Sequence, residues 1–229
     1  MGLLIAQVWY TSCASWCLYL RGLVAVTSVA RIGIYGGTFD PIHIGHLAIA
    51  EDARHTLGLS QVLFIPTARQ PLKDEVQGAT PLQRLEMVRL ACATNPHFAV
   101  SDLELRRPPP SYTIDTLLAL RADLGSAIDL VFLLGVDAAR DLPRWYRATE
   151  IIRLVRLAVI SRPGYSLSLQ ALETNMPGIS ERCVTIDGPR LDVSSSDLRA
   201  RLFAGRPVRY QIPDPVIDYI AAHGLYREL

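Results

Sequence analysis

Residues 32–46 read Ile32-Gly33-Ile34-Tyr35-Gly36-Gly37-Thr38-Phe39-Asp40-Pro41-Ile42-His43-Ile44-Gly45-His46. Ile32, Ile34 and Tyr35 form a short apolar run that stops at Gly36-Gly37, the pattern of a first buried strand ending in a turn. Ile44, Leu47, Ala48 and Leu57 follow at helical spacing. Two glycines after a strand let backbone N–H groups approach an anion with no Cβ in the way. The helix beyond them points its N–H groups and the positive end of its dipole at the same place. His43 and His46, three apart at the helix start, are expected to face one side, and Gly45 is expected to leave room for a ligand. Together these residues form a cradle for a polyphosphate with two imidazole donors aimed at it. The segment is neither of the commoner phosphate loops, since it lacks both Gly-Lys-Ser/Thr and G-x-G-x-x-G. A lone H-x-x-H also arises by chance on surfaces. Its position after a buried strand and a glycine turn is what favours a site.

Further strands are expected at Val62–Ile65, stopped by Pro66, at Phe98–Val100, at Leu130–Leu134, at Leu157–Ile160 and at Cys183–Ile186. The continuous run Leu130-Val131-Phe132-Leu133-Leu134 is of the sort buried on both faces. Between strands, Thr80-Pro81-Leu82-Gln83 opens a helix with a capping box, and Ser111 begins another that carries Ile114, Leu117 and Leu118. Ser194-x-x-Asp197 caps a helix through Leu202, and Asp214-Pro215 starts a last one that Gly224 ends. Strands alternating with helices predict an α/β fold, a Rossmann-like doubly wound parallel sheet with helices on both faces. Ligands in such sheets sit beyond the strand carboxyl ends, near the point where strand order reverses. The loops to watch are therefore Gly36 to His46, Thr67 to Lys73, Gly135 to Asp137 and Ser161 to Gly164.

The 229 residues carry a formal net charge of +1, which gives no general attraction to nucleic acid or to an anionic membrane. Phosphate binding must therefore come from a local site. The cysteines at 13, 17, 92 and 183 form no C-x-x-C pair and have no histidines at zinc-ligand spacing, so they read as reduced thiols of a cytoplasmic protein, with no metal site. Residues 1–30 differ from the rest, with Arg21 as their single charge. The late cation does not suit a signal peptide, and Gln7, Thr11, Ser12 and Ser15 interrupt any membrane span. We read them as an extension from a misplaced start, and residues 31–229 as the domain.

The segment G-G-T-F-D-P-I-H-I-G-H resembles the signature of the H-x-G-H nucleotidyltransferase superfamily. Gly135-Val136-Asp137, Ser161-Arg162-Pro163-Gly164 and Val193-Ser194-Ser195-Ser196-Asp197-Leu198-Arg199 look like its nicotinate-nucleotide adenylyltransferase branch, as do Pro143-Arg144-Trp145-Tyr146 and Ser111-Tyr112-Thr113. The resemblance runs from residue 31 to about 227. It implies transfer of AMP from ATP to nicotinate mononucleotide with release of pyrophosphate, in NAD biosynthesis, with Mg2+ accompanying ATP. It implies that His43, His46, Lys73 and Arg199 act on the phosphates. It further implies that Gly36, Gly37, Thr38, Phe39, Gly135, Asp137, Arg162, Ser194, Ser195 and Ser196 bind ATP, and that Tyr112, Thr113 and Trp145 bind the mononucleotide. Asp137 suits the ribose hydroxyls, although a helix N-cap is its plainer reading, and core packing is the plainer reading of Trp145.

One departure stands out. Where the family commonly shows Pro-Pro-His and a basic residue, this chain reads Gln70-Pro71-Leu72-Lys73, which keeps the cation and lacks the histidine. Lys73 is also the one lysine among 23 cationic residues. Nicotinamide mononucleotide, phosphopantetheine, and a nucleotide sensor without turnover remain as alternatives, and a homo-oligomer remains open.

Overall fold

The computed structural model describes residues 30–69, 78–161 and 167–227. Residues 1–29 of the proposed extension, Lys73 and Arg162 lie outside the described residues.

Strand β1 (Arg31–Gly37) leads through helix α1 (Ile44–Leu57) to β2 (Gln61–Pro66), and α2 (Pro81–Cys92) leads to β3 (Phe98–Val100). Helix α3 (Thr113–Leu124) precedes β4 (Asp129–Gly135), and short helices α4 (Val136–Asp141) and α5 (Ala148–Leu154) lead to β5 (Arg156–Ser161). After α6 (Leu169–Asn175) and α7 (Ile179–Arg182) come β6 (Cys183–Asp187), α8 (Ser195–Phe203) and α9 (Asp214–Ala222). The six strands lie in the order β3-β2-β1-β4-β5-β6, with every pairing parallel. Strand order therefore reverses between β1 and β4, where Ile34 pairs with Phe132.

The two-residue period of the strands sorts their side chains cleanly. Ile32, Ile34, Leu63, Ile65, Leu130, Phe132, Leu134, Leu157 and Val159 face one core, covered by Ile114 and Leu117 of α3 and Ile151 of α5. Val62, Phe64, Val131, Leu133, Ala158 and Ile160 face the other, covered by Ala50 and Ala53 of α1, Met87 and Val88 of α2, and Val216 and Ile220 of α9. The Leu130–Leu134 run is buried on both faces, as its unbroken apolar character predicts.

The expected caps are made. Thr80 Oγ1 accepts the Gln83 N–H at 3.3 Å, Gln83 Oε1 accepts the Thr80 N–H at 2.9 Å, and Pro81 takes the first turn of α2. Ser194 Oγ accepts the Asp197 N–H at 3.1 Å at the head of α8. One expectation shifts. Helix α3 begins at Thr113, not Ser111, with Tyr112 extended ahead of it. The residues of α1 buried on the sheet are Ala50 and Ala53; Leu47 and Leu57 pack at their margin.

Candidate active site

The carboxyl ends of three adjacent strands open into a cavity of about 440 Å³. Its walls take Ile34, Gly36 and Gly37 from β1, Ile65 and Thr67 from the end of β2, and Phe132 to Gly135 from β4. Tyr112, Thr113, Thr116 and Trp145 close it from the side, with Glu104 and Ser111. It stands at the point of strand reversal, where a doubly wound sheet is expected to bind. The three residues expected at the pyridine ring thus line one cavity. Trp145 is half-buried and meets Phe132 edge-on at 6.1 Å, so one side is packed and the other faces the cavity.

The two histidines meet beside β1. His43 is the residue just ahead of α1, and its ring stacks on that of His46 with centroids 3.8 Å apart. His46 Nδ1 accepts the His43 backbone N–H at 3.3 Å. A ring nitrogen that accepts carries no proton, so the neutral His46 ring holds its proton on Nε2 and presents a donor there. Behind His46 stands Phe39, buried and edge-on at 5.1 Å. The Phe39 ring therefore serves to back the imidazole. Gly45 leaves room for the ring of His43: a Cβ at residue 45 would lie 3.0 Å from His43 Nδ1. Gly37 is needed in the same way, since a Cβ there would come within 2.9 Å of the Phe39 ring. A small hollow beside the pair is lined by His43, Gly45, His46, Ser161, Gly188 and Val193.

Helix α8 is pinned to this loop. Ser195 Oγ donates to the Pro41 carbonyl at 2.9 Å, and Arg199 Nη1 donates to the Asp40 carbonyl at 2.7 Å. Ser194 caps the helix while its hydroxyl lies 3.2 Å from that of Ser196. The helix start and Arg199 are thereby brought against the histidine loop from 154 and 159 residues further along the chain. Asp137 lies in the first turn of α4 with its side chain 76% exposed, and Gly135, not Asp137, is the N-cap. The capping explanation for this carboxylate therefore falls away.

A Cytidylyltransferase-like family model matches residues 34–201. A relative from Roseiflexus sp. (strain RS-1), named "Probable nicotinate-nucleotide adenylyltransferase", is 56% identical over 200 residues, 87% of this chain and 100% of the relative. Another of that name from Herpetosiphon aurantiacus is 50% identical over 196 residues, 86% of this chain and 98% of the relative. The solved Plasmodium falciparum nicotinic acid mononucleotide adenylyltransferase, complexed with NaAD, superposes with a TM-score of 0.71 at 22% identity, over 86% of this chain and 97% of that one. The chain belongs to the nicotinate-nucleotide adenylyltransferase family.

The nicotinate-nucleotide adenylyltransferase site rests on a second group of residues to which sequence reasoning gave no role. Asp40 is buried, and its Oδ1 accepts from the Ala79 N–H at 3.0 Å and from the Tyr226 hydroxyl. A Cβ on residue 78 would fall 2.0 Å from Asp40 Oδ2, which explains the glycine there. Arg84, also buried, donates to the carbonyls of Thr38 at 2.6 Å, Thr67 at 2.7 Å, Ala68 at 3.2 Å and Ala79 at 3.3 Å. Burial pulls its guanidinium down from the usual arginine value, while the charge of Asp40 opposes that fall. One arginine thus ties the loop after β1 to the loop after β2.

Proposed function

We propose that this chain transfers AMP from ATP to nicotinate mononucleotide, forming nicotinate adenine dinucleotide and releasing pyrophosphate. The observation that carries this reading is the conjunction of the stacked His43–His46 pair with the 440 Å³ cavity lined by Tyr112, Thr113 and Trp145 at the same sheet edge. In the reaction, an oxygen of the mononucleotide 5′-phosphate bonds to the α-phosphorus of ATP as the bond to pyrophosphate breaks. Such a transfer needs alignment and charge neutralisation more than a protein nucleophile. We assign the Nε2–H of His46 and the guanidinium of Arg199 to the phosphates, with His43 beside them and Lys73 and Arg162 as further cations. The start of α8 with Ser194 to Ser196, and the main chain of Gly36 to Phe39, complete the anion cradle. Tyr112, Thr113 and Trp145 take the pyridine ring.

Mg2+ is proposed to arrive on the ATP phosphates, whose charge it neutralises. Among the described residues no three His, Cys, Asp or Glu side chains stand together to hold a metal. Asp40, the carboxylate nearest the histidines in the chain, is already engaged by Ala79, Tyr226 and Arg199. Among the described residues no helix is long and apolar enough to cross a membrane.

Asp137 and Gly135 are assigned to the ATP ribose. Asp137→Asn is expected to raise the KM for ATP by about tenfold, because an amide cannot accept two charge-assisted bonds, with thermal stability unchanged. An unaltered KM and kcat would remove Asp137 from the site. The reaction itself is tested by pyrophosphate release from ATP with nicotinate mononucleotide, nicotinamide mononucleotide and phosphopantetheine offered separately. The acid mononucleotide is expected to give the highest kcat/KM. Tight ATP binding with no release for any acceptor would favour a sensor.

A further inference from the structure

Resting on the mononucleotide reading above, we propose that Glu104 is a specificity-determining residue of the cavity, setting how strongly it prefers an acidic over an amide substituent on the ring. Glu104 belongs to the cavity wall yet is only 6% exposed. Its Oε1 accepts from the Thr116 hydroxyl at 2.8 Å, and Thr116 in turn accepts from Arg107 Nη2. Its Oε2 is buried without a hydrogen bond of good geometry, although the hydroxyls of Ser111 and Thr67 lie near enough to act on the carboxyl. An ionised carboxylate in such a place is a charge taken out of water with one oxygen unpartnered, a cost that the neutral acid largely avoids.

Burial pushes the Glu104 carboxyl up from the ordinary glutamate value, against the opposing pull of Thr116, Ser111, Arg107 and Thr67. The group therefore changes charge at a higher pH than an exposed glutamate. While it is neutral, a ring carboxylate enters the cavity without like-charge repulsion. Once it is ionised, the carboxylate is repelled and the isosteric amide is not. Across a low-dielectric wall that difference is worth about tenfold or more in binding.

Other charges do not produce the same signature. Arg107 on the same loop and Arg84 on α2 act on Glu104, and Arg144 lines the cavity; all three stay charged. Tyr35, Tyr112 and Tyr146 also line it and meet both acceptors alike. His43, His46 and the substrate phosphates serve both acceptors, so their contributions cancel in the ratio of the two.

The test is the ratio of kcat/KM for nicotinate over nicotinamide mononucleotide from about pH 5 to 9, in the wild type and in Glu104→Gln. The wild-type ratio is expected to fall about tenfold as pH rises, and the Gln variant to give a flat line. A flat wild-type ratio, or the same slope in the variant, would overturn the role of Glu104. Calorimetry on the wild type in buffers of different ionisation heat keeps the question answerable if the variant fails to fold. Binding of the acid should draw in more protons than binding of the amide, and equal uptake would overturn the role. Absence of turnover with both mononucleotides at every pH would overturn the reaction itself, whereas a constant ratio counts against Glu104 alone.

Discussion

Replacing His46 by alanine is expected to leave a folded protein whose turnover falls by about 10²–10³-fold, the usual consequence of removing one preorganised transition-state donor. The fold should survive because His46 lies in the first turn of α1, where alanine is a good helix former, and its side chain is only partly buried. The bond from the His43 N–H to Nδ1 is lost, at a cost of about 1 kcal/mol. The loss should fall on kcat more than on the KM for either substrate, since the donor acts on charge that grows during phosphoryl transfer. Steady-state kinetics with circular dichroism of the same sample would check it. A drop smaller than about threefold would refute the role given to His46.

Arg84→Met is expected to cost about 3 kcal/mol of stability, as does removal of one member from a buried charged network, or roughly 6 to 12 °C in melting temperature for a domain of this size. Methionine matches the reach of arginine and removes the desolvation cost of the charge. It removes the donor to the carbonyls of Thr38, Thr67, Ala68 and Ala79, which Arg84 gathers. Activity should fall as well, because Thr38 and Thr67 sit on the two loops that border the cavity and the histidines. Arg84→Lys should recover only part of the loss, since one ammonium cannot span carbonyls on three separate segments. A melting temperature within about 2 °C of wild type for Arg84→Met, equivalent to less than 1 kcal/mol, would show that the network is dispensable.

How much of this was legible beforehand follows from the range over which each signal acts. Strands β1, β2, β4 and β5 announce themselves through apolar runs closed by glycine or proline, and their order along the chain already predicts a cavity at the reversal point. The motif at residues 36–46 places both imidazoles correctly because the helix start fixes them locally. The spacing of Ile44, Leu47, Ala48 and Leu57 predicts helix α1 without showing which of its residues lie on the sheet. Ala50 and Ala53, small enough to lie flat on the sheet, carry less apolar weight than Leu47 and Leu57. The helices α4 to α7 have seven residues or fewer, too short for a 3.6-residue period to stand out.

The supporting residues were hidden for a different reason. Asp40 stands in the most informative stretch of the chain, yet its hydroxyl partner Tyr226 is 186 residues away. Arg84 binds main-chain carbonyls, which no pattern of side chains reveals. Glu104 sits among Asp102, Arg106 and Arg107 and reads as part of a solvated charge run until folding buries it.

The central claim is that the loops at one sheet edge gather imidazoles, amide hydrogens and arginine around the triphosphate of ATP. A crystal structure with a non-hydrolysable ATP analogue tests it most directly. The account predicts phosphate oxygens within hydrogen-bond distance of His46 Nε2 and the Arg199 guanidinium, beside the start of α8. Phosphates bound elsewhere, with the stacked histidines untouched, would contradict it.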